Sequence, residues 1–383
     1  MPDKRKAKKV LIVTGEASGD LHASYLVQAM LSLDPDVYCY GMGGEKLRAA
    51  GAHIVFDIAQ LSVMGITEVI RHFGTIYRVF TTLKGLLKND RPDLVILVDY
   101  PDFNLRLAKV AHRYGVPVLY YISPQIWAWR TNRIKQIGRV VKKMIVVFPF
   151  ERPLYEEAGI DVTFTGHPLL DIVKPTKSKE DNTEHFGLDP HKKTIGLLPG
   201  SRLSEVNKLL PPMIEAAQQL EEHFTNLQFI LPIAPGLQRV DIEKLIEGSQ
   251  TAITVVHNSI YDVIDIAHLV IVASGTATLE TALLATPMVI TYKMSPISYL
   301  IGKKLVKVPY IGMANILAGK KVVPELIQDE ANAHNITAEV THLLQDNHYY
   351  QSVCEDLTSI KKELGEPGAS KRAAQIAVTM LSH

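Results

Sequence analysis

Cysteine is nearly absent from this chain: Cys39 and Cys354 are the two among 383 residues. Two thiols cannot build a disulfide framework, a structural zinc cluster or an iron–sulfur site, and their scarcity fits a reducing compartment. An excess of one charge is missing too. Lys and Arg number 41 against 40 Asp and Glu, a net charge of +1, so no global field draws the protein to nucleic acid. The 14 histidines contain no His-x-x-x-His pair, and no Asp-x-Asp follows a candidate strand, so no metal is expected. Long apolar runs are lacking as well. The longest region, Leu269 to Tyr292, is interrupted by Ser274, Gly275, Glu280 and Pro287, whereas a spanning helix needs roughly 20 mostly apolar residues. The basic start, Met1 to Lys9, is followed by an apolar run of only Val10 to Val13, too short for a secretory signal. No short repeat and no low-complexity tract occurs.

What remains is an ordinary globular composition, 47% hydrophobic and 21% charged, long enough for two to three domains of about 150 residues. Short β-branched runs alternate with helical patterns. Strands are expected at Lys9–Thr14, Val37–Tyr40, Leu94–Val98, Val118–Ile122 and Met144–Val147. A second set is expected at Thr194–Leu198, Gln228–Leu231, Ile253–Val256, Leu269–Val272 and Met288–Thr291. Strands apolar on both faces and separated by amphipathic helices predict parallel sheets covered on both sides. The polar stretch 171–193 reads as a linker. The organisation expected is therefore a Rossmann-like domain over 1–170, a linker over 171–193, a second Rossmann-like domain over 194–345, and C-terminal helices over 346–383 packing back on the first domain. Two such domains facing each other would create one cleft, and ligands of open α/β sheets bind beyond the carboxyl ends of strands. The loops after strands are thus where function is sought.

The first such loop, Gly15-Glu16-Ala17-Ser18-Gly19-Asp20, is a Gly-rich strand-to-helix turn able to aim N–H groups at an anion. It is neither a dinucleotide fingerprint nor a P-loop, and a plain helix start capped by Ser18 or Asp20 is the alternative. Glu16, Ser18, Gly19 and Asp20 are candidates for the acceptor side of the cleft. In Asp99-Tyr100-Pro101-Asp102-Phe103-Asn104, Asp99 ends a strand and is the candidate general base; Asp102 is expected to cap the next helix at the cleft. Both tryptophans, Trp127 and Trp129, lie in the loop Ser123 to Arg130, where Trp129 is a candidate for acceptor contact and packing is the alternative. Gly166-His167-Pro168 places an imidazole that is more often structural than ligating.

In the second half, Pro199-Gly200-Ser201-Arg202 offers backbone donors and a planar guanidinium suited to a pyrophosphate; a surface Arg paired with Glu205 is the alternative. In Ser274-Gly275-Thr276-Ala277-Thr278-Leu279-Glu280, small residues would let a phosphate approach a helix N-terminus, and Glu280 falls one turn on, in reach of a ribose diol. Tight helix packing explains the small residues but not the glutamate. The second half reads as a nucleotide-diphosphate site.

Between Leu61 and Lys88, apolar residues recur at Ile66, Val69, Ile70, Phe73, Ile76, Tyr77, Phe80, Leu83 and Leu87, a helical period. Val63, Met64, Val79 and Leu86 widen the stripe, and Arg71, Arg78, Lys84 and Lys88 line its polar side. Packing on a sheet is one reading. The other is a membrane surface touched by Val63, Met64, Ile66, Phe73, Ile76 and Phe80. Further cations at Arg130, Arg133, Lys135, Arg139, Lys142 and Lys143 follow with no acid between them, each worth about 1 kcal/mol near an anionic leaflet.

In order and spacing, these motifs, with Val63-Met64-Gly65-Ile66, Leu198 to Arg202 and Asn315-Ile316-Leu317-Ala318-Gly319, resemble the lipid-A-disaccharide synthase family over essentially the whole chain. The resemblance implies the GT-B glycosyltransferase fold of two facing Rossmann-like domains with a helical C-terminal tail. It implies a metal-independent, cofactor-free, inverting transfer from UDP-2,3-diacylglucosamine to its 1-phosphate monosaccharide, lipid X, giving the β-1,6 disaccharide 1-phosphate and UDP. By that likeness Asp99 is the base. Ser201, Arg202 and the turn Ser274, Gly275, Thr276, Ala277 hold the diphosphate, Glu280 the ribose, and Asn315 lines the donor site. The expected location is the cytoplasm, peripheral on the inner face of the cytoplasmic membrane. Rival expectations are a soluble UDP-sugar epimerase or another transferase of this fold, and a non-catalytic nucleotide-sugar or lipid carrier; neither half carries the fingerprint of a dehydrogenase.

Overall fold

Where the chain is apolar on both faces it becomes a central strand. Val10 to Val13, Leu94 to Val98 and Leu269 to Val272 are all fully buried, as parallel strands under two helical layers must be. The computed structural model describes residues 7–62, 69–129, 133–295, 299 and 309–382. It divides into two units, Met1–Asp171 with Leu364–His383, and Ile172–Glu363.

The first unit contains β1 (Lys8–Val13), β2 (Val37–Gly43), β3 (His53–Asp57), β4 (Leu94–Val98), β5 (Val118–Tyr121), β6 (Lys143–Val146) and β7 (Val162–Phe164). They form one sheet in the order β3-β2-β1-β4-β5-β6-β7, parallel at every pairing. The second unit holds β8 (Lys193–Leu198), β9 (Leu227–Ile233), β10 (Ile253–His257), β11 (Leu269–Ala273), β12 (Met288–Tyr292) and β13 (Glu325–Ile327), ordered β10-β9-β8-β11-β12-β13. Each sheet reverses its winding once, between β1 and β4 and between β8 and β11. Ligands of such sheets bind at that switch point, beyond the carboxyl ends.

One face of the first sheet, carrying Leu11, Val13, Val95, Leu97 and Tyr120, packs with Val79, Leu83 and Leu87 of the helix Val69–Asn89. Each such buried side chain contributes about 1.5–3 kcal/mol. Half-buried Ile76 and Phe80, expected at a membrane surface, pack against this core instead, and Phe80 meets Phe103 edge to face at 5.6 Å. The strands need that cover, so this part of the stripe faces inward. Val63, Met64 and Ile66 lie outside the described residues, as do the side chains of Phe73 and Trp129.

The opposite face is covered by the helix Ala17–Leu33, against which the last helix, Ala369–Met380, packs. Ala369, Ala373 and Ala377 repeat every four residues and are fully buried, small enough for the two backbones to approach closely. The returning chain is pinned at three points: the Gly368 N–H donates to Asp171 (2.5 Å), His167 N–H to Leu364 O (3.0 Å), and Arg372 Nε to Thr165 O (2.9 Å). A Cβ at Gly166, whose φ is +81°, would stand 3.0 Å from the Arg372 guanidinium and 3.2 Å from Glu366 O, so the crossing requires glycine.

Three strands escape a reading by apolar runs: β3, β7 and β13. All three are sheet edges and are half-exposed, so they need no continuous apolar sequence. The stretch 171–193, expected as a linker, packs into the second unit from Ile172 onward. It contains a helix, Lys179–His185, capped by the Ser178 hydroxyl. Thr176 N–H and Asn182 Nδ2 both donate to Asp262, at 2.5 and 3.0 Å. The helix Asn347–Glu363 likewise belongs to the second unit, and only Leu364 onward joins the first.

Candidate active site

In the first unit the chain leaves β4 through two successive residues in left-handed conformation, Asp99 (φ 46°) and Tyr100 (φ 48°). Each costs on the order of 1–3 kcal/mol, a strain that persists only where the surroundings over-determine it. Here they do. Asp99 O accepts from Asn104 Nδ2 and from the Tyr120 hydroxyl, both at 2.7 Å, and Asp99 N–H donates to Tyr121 O at 3.2 Å. The Tyr100 ring lies over Gly15, where a Cβ would come within 2.4 Å of it. The loops after β1 and β4 are thereby brought together. Burial, reinforced by the negative charge of Glu16 and only partly relieved by the Tyr100 N–H, raises the Asp99 carboxyl from 3.8 to about 6. A partly buried carboxylate so perturbed, beside a turn held in strain, has the character of a general base.

The neighbouring candidates separate by role. Glu16 is exposed at the N-cap of the helix Ala17–Leu33, and its side chain makes no capping bond; Ser18 is half-buried. Gly19 leaves no room for a side chain, since a Cβ would lie 2.2 Å from Thr14 Oγ1. Asp20, expected at the cleft, is buried and accepts the N–H groups of Gly44 (2.6 Å) and Lys46 (3.1 Å). It ties down the loop after β2. Asp102 sits in the first turn of the helix Pro101–Arg113, where Tyr100 holds the N-cap position. There its charge favours the helix dipole, and it pairs with Arg133. His167 is buried and accepts Leu169 N–H at Nδ1 (3.1 Å). Burial keeps it neutral, well below the usual imidazole range, which is a structural histidine.

One residue on this edge escapes the sequence reading. Glu151, the first residue of the helix Glu151–Glu157 that follows β6, is 1% exposed. It accepts from Ser123 Oγ (2.5 Å), Trp127 Nε1 (3.2 Å) and Phe148 N–H (3.2 Å). It follows a strand as the other candidates do, but the burial that sets it apart is visible only in the packing.

In the second unit, β8 ends in Pro199-Gly200-Ser201-Arg202 and the helix Leu203–His223 begins, with Arg202 at its N-cap. Glu205 reaches back to Ser201 N–H (3.2 Å) and to the Arg202 guanidinium (3.0 Å). Gly200, at φ +121°, could not carry a Cβ, which would stand 2.6 Å from the Glu205 carboxylate. The Arg202 side chain is 72% exposed, so its pairing with Glu205 is weak and the guanidinium is available to an anion. Tyr292, at the end of β12, feels the charges of both Glu205 and Arg202.

Beyond β11 the switch-point neighbour is Ser274-Gly275, followed by the helix Thr276–Leu283. Gly275 (φ 155°) and Thr276 are exposed and Ala277 half-buried, so the first-turn N–H groups, which no helix satisfies internally, border solvent. Half-buried Glu280 accepts the Tyr261 hydroxyl at 2.9 Å. Asn315, expected to line the donor site, is 0% exposed. Its amide donates to Val323 O and Glu325 and accepts the N–H groups of Val322 and Val323. Glu325 also holds Ile311 and Gly312 N–H, both at 2.9 Å. The pair thus shapes the loop beside Ser274, and its side chains are spent on doing so.

Among the described residues no three His, Cys, Asp or Glu side chains group to hold a metal ion, and no helix is long and apolar enough to cross a membrane.

The family model described as lipid-A-disaccharide synthetase matches residues 10–380. The lipid-A-disaccharide synthase of Geobacter sulfurreducens is 50% identical over 373 residues, 97% of this chain and 97% of that one. That of Coxiella burnetii (strain Dugway) is 40% identical over 374 residues, 98% and 99% of the two chains. Among solved structures, the UDP-GlcNAc 2-epimerase of Neisseria meningitidis bound to UDP-GlcNAc superimposes with a TM-score of 0.65 at 15% identity, over 98% of this chain and 100% of that one. MurG of Acinetobacter baumannii gives 0.59 at 16%, over 97% and 99%. At such identity the structures establish the GT-B fold and nothing more. The match along the sequence is of another order, near half identity from end to end, and by it the chain belongs to the lipid-A-disaccharide synthase family of glycosyltransferases.

Proposed function

We propose that the protein transfers 2,3-diacylglucosamine from UDP to the 6-hydroxyl of lipid X with inversion at the anomeric carbon. Asp99 takes the hydroxyl proton as the acceptor oxygen attacks. The bond to the UDP oxygen breaks, and the β-1,6 disaccharide 1-phosphate and UDP leave. The proton passes from Asp99 to solvent. The observation that carries the reading is the Asp99 turn: a strained backbone, anchored twice at the Asp99 carbonyl, that holds a carboxyl raised toward neutrality at the switch point of its sheet.

The departing diphosphate needs positive charge. Arg202 supplies it as an exposed guanidinium, Ser201 and the Ser274-Gly275-Thr276-Ala277 turn supply N–H donors, and no metal is required. Glu280, oriented by Tyr261, accepts from the ribose diol. Asn315 contributes by shaping the loop and not by touching the donor. Glu16 and Ser18 border the acceptor. The basic series Arg133 to Lys143 favours an anionic surface, which fits a peripheral protein at the inner face of the cytoplasmic membrane, where both acylated substrates would reside.

Purified protein incubated with UDP-2,3-diacylglucosamine and lipid X in detergent, without added metal, should form the disaccharide 1-phosphate by mass spectrometry. Asp99→Asn should abolish turnover while UDP affinity by calorimetry stays unchanged. A UDP-sugar epimerase would instead convert the donor without acceptor. That outcome, absence of product, or full turnover in Asp99→Asn would overturn the assignment.

A further inference from the structure

The carboxyl edge of the first sheet carries an aromatic row that the reaction as written does not use. Trp127 meets Phe150 edge to face at 5.0 Å, Phe150 stacks on Phe148 at 5.6 Å, Phe148 lies 5.1 Å from His167, and His167 stands 6.1 Å from His22. The row joins the loops after β5, β6 and β7 to the helix after β1. Its inner end, His22, His167 and Phe148, is buried, while Phe150 is exposed and Trp127 half-buried. Only the Trp127–Phe150 end can meet a ligand.

That end is set by Glu151. Its Oε1 holds both Ser123 Oγ and the Trp127 indole N–H, and its Oε2 holds the Phe148 N–H. A single buried carboxylate thus grips the loop after β5 at two places and the loop after β6 at a third. Among the described residues no cation pairs with it; a buried carboxylate in that state is costly, and apolar packing alone would hold the indole more cheaply. Two buried tyrosines stand between this residue and the candidate base. Tyr155, one turn along the helix Glu151–Glu157, is buried beside Ser123 and feels the Glu151 charge. Tyr120, which donates to Asp99 O, feels both Tyr155 and Asp99. The groups facing Glu151 are therefore Ser123 and Trp127 from one loop, the N–H groups of Val147 and Phe148 from the other, and Tyr155 from its own helix.

We propose that Glu151 is a positioning residue for the acceptor sugar: by holding Ser123 and the Trp127 indole it presents the Trp127–Phe150 edge as the apolar wall against which the acceptor ring lies. Aromatic edges and faces are the surfaces that pack on the C–H side of a pyranose, and a fixed indole binds one at lower entropic cost than a mobile one. The inference rests on the glycosyl transfer proposed above. Burial raises the Glu151 carboxyl from 4.5 to about 7, so its charge, and with it the grip on the indole, changes in an accessible range.

Two measurements test it, one independent of turnover. In Trp129→Phe, which leaves Trp127 as the single tryptophan, the indole emission should titrate with a midpoint near 7, and Glu151→Gln added to it should abolish the step. In the assay, Glu151→Ala should raise the acceptor KM about tenfold or more, with donor KM and UDP affinity within twofold. Trp127→Phe, which removes the indole donor together with part of the ring surface, should act in the same direction, and Glu151→Gln, which keeps one acceptor oxygen, should restore part of the loss relative to Glu151→Ala. An acceptor KM unchanged in folded Glu151→Ala and in Trp127→Phe overturns the proposal, as does emission flat from pH 5 to 9. Should Glu151→Ala fail to fold, Trp127→Phe and the titration decide alone. Failure of the wild type to make any disaccharide counts against the transfer reading, whereas the emission titration still reports on the Glu151 grip.

Discussion

Asp99 shows how far one residue's setting departs from its type. An ordinary aspartate is ionised at any physiological pH, and a base of that strength removes a hydroxyl proton poorly. Burial in a left-handed turn beside Glu16 lifts it to about 6. Since the base must be unprotonated, the rate for the free enzyme should be level above pH 7 and fall about tenfold per unit below 6. Glu16→Gln removes the like charge, so its profile should shift toward lower pH. The pH dependence of kcat/KM for both proteins is the check, and a plateau extending down to pH 4.5 in the wild type would exclude Asp99 as the base. The sequence marked Asp99 because it ends a strand. It missed Glu151, which stands in the same topological position, because only packing reveals that an otherwise ordinary glutamate is buried.

At the scale of elements, the loop Ile311–Asn315 and the strand β13 form one unit of construction. Asn315 spends its amide on Val322, Val323 and Glu325, and Glu325 spends its carboxylate on Ile311 and Gly312. Truncation would leave two buried N–H groups and a buried carbonyl without partners. Asn315→Ala should therefore destabilise the protein by about 2–4 kcal/mol, with donor affinity lowered only through the loop. Urea unfolding gives the first quantity and UDP calorimetry the second; a variant as stable as wild type that has lost UDP would instead mean direct contact. The sequence motif around Asn315 was recognisable, but motif likeness alone could not separate a ligand contact from a clasp. The edge strands β3, β7 and β13 were illegible for a related reason. An edge pairs on one side only, so backbone hydrogen bonding, not an apolar run, defines it.

For the whole chain, the buried titratable groups of the first unit pull stability in opposite directions. Asp99 and Glu151 are raised, to about 6 and about 7, so the folded state holds more protons than the unfolded and stability falls as pH rises from about 4 to 7. His22 is lowered to about 4 and His167 well below its usual range. The folded state there holds fewer protons, and stability falls as pH drops below 6.5. Across 4.5 to 6.5 the two effects offset. Glu151→Gln removes one carboxylate contribution, on the order of 3 kcal/mol, and leaves the histidines. Melting followed by tryptophan emission, which reports the first unit because Trp127 and Trp129 both lie there, should then rise more steeply between pH 5 and 7.5 than in wild type. Equal slopes would mean that Glu151 ionises as an ordinary glutamate.

Periodicity along the chain determined that there are two parallel α/β sheets, because a strand buried on both faces must be apolar at every position. Loop chemistry after those strands marked Asp99, Arg202 and the Ser274 turn, because a switch point exposes those loops whatever the rest of the fold does. Tertiary structure alone decided which candidates are spent on construction. Asp20 and Asn315 are polar in sequence yet buried and fully bonded, and Ile76 and Phe80 look ready for lipid yet cover a sheet. It also decided that the last twenty residues, Leu364 to His383, return to the first unit. That return depends on Gly166, Arg372 and an alanine stripe meeting residues some two hundred positions away in the chain, a complementarity of surfaces that no local pattern encodes.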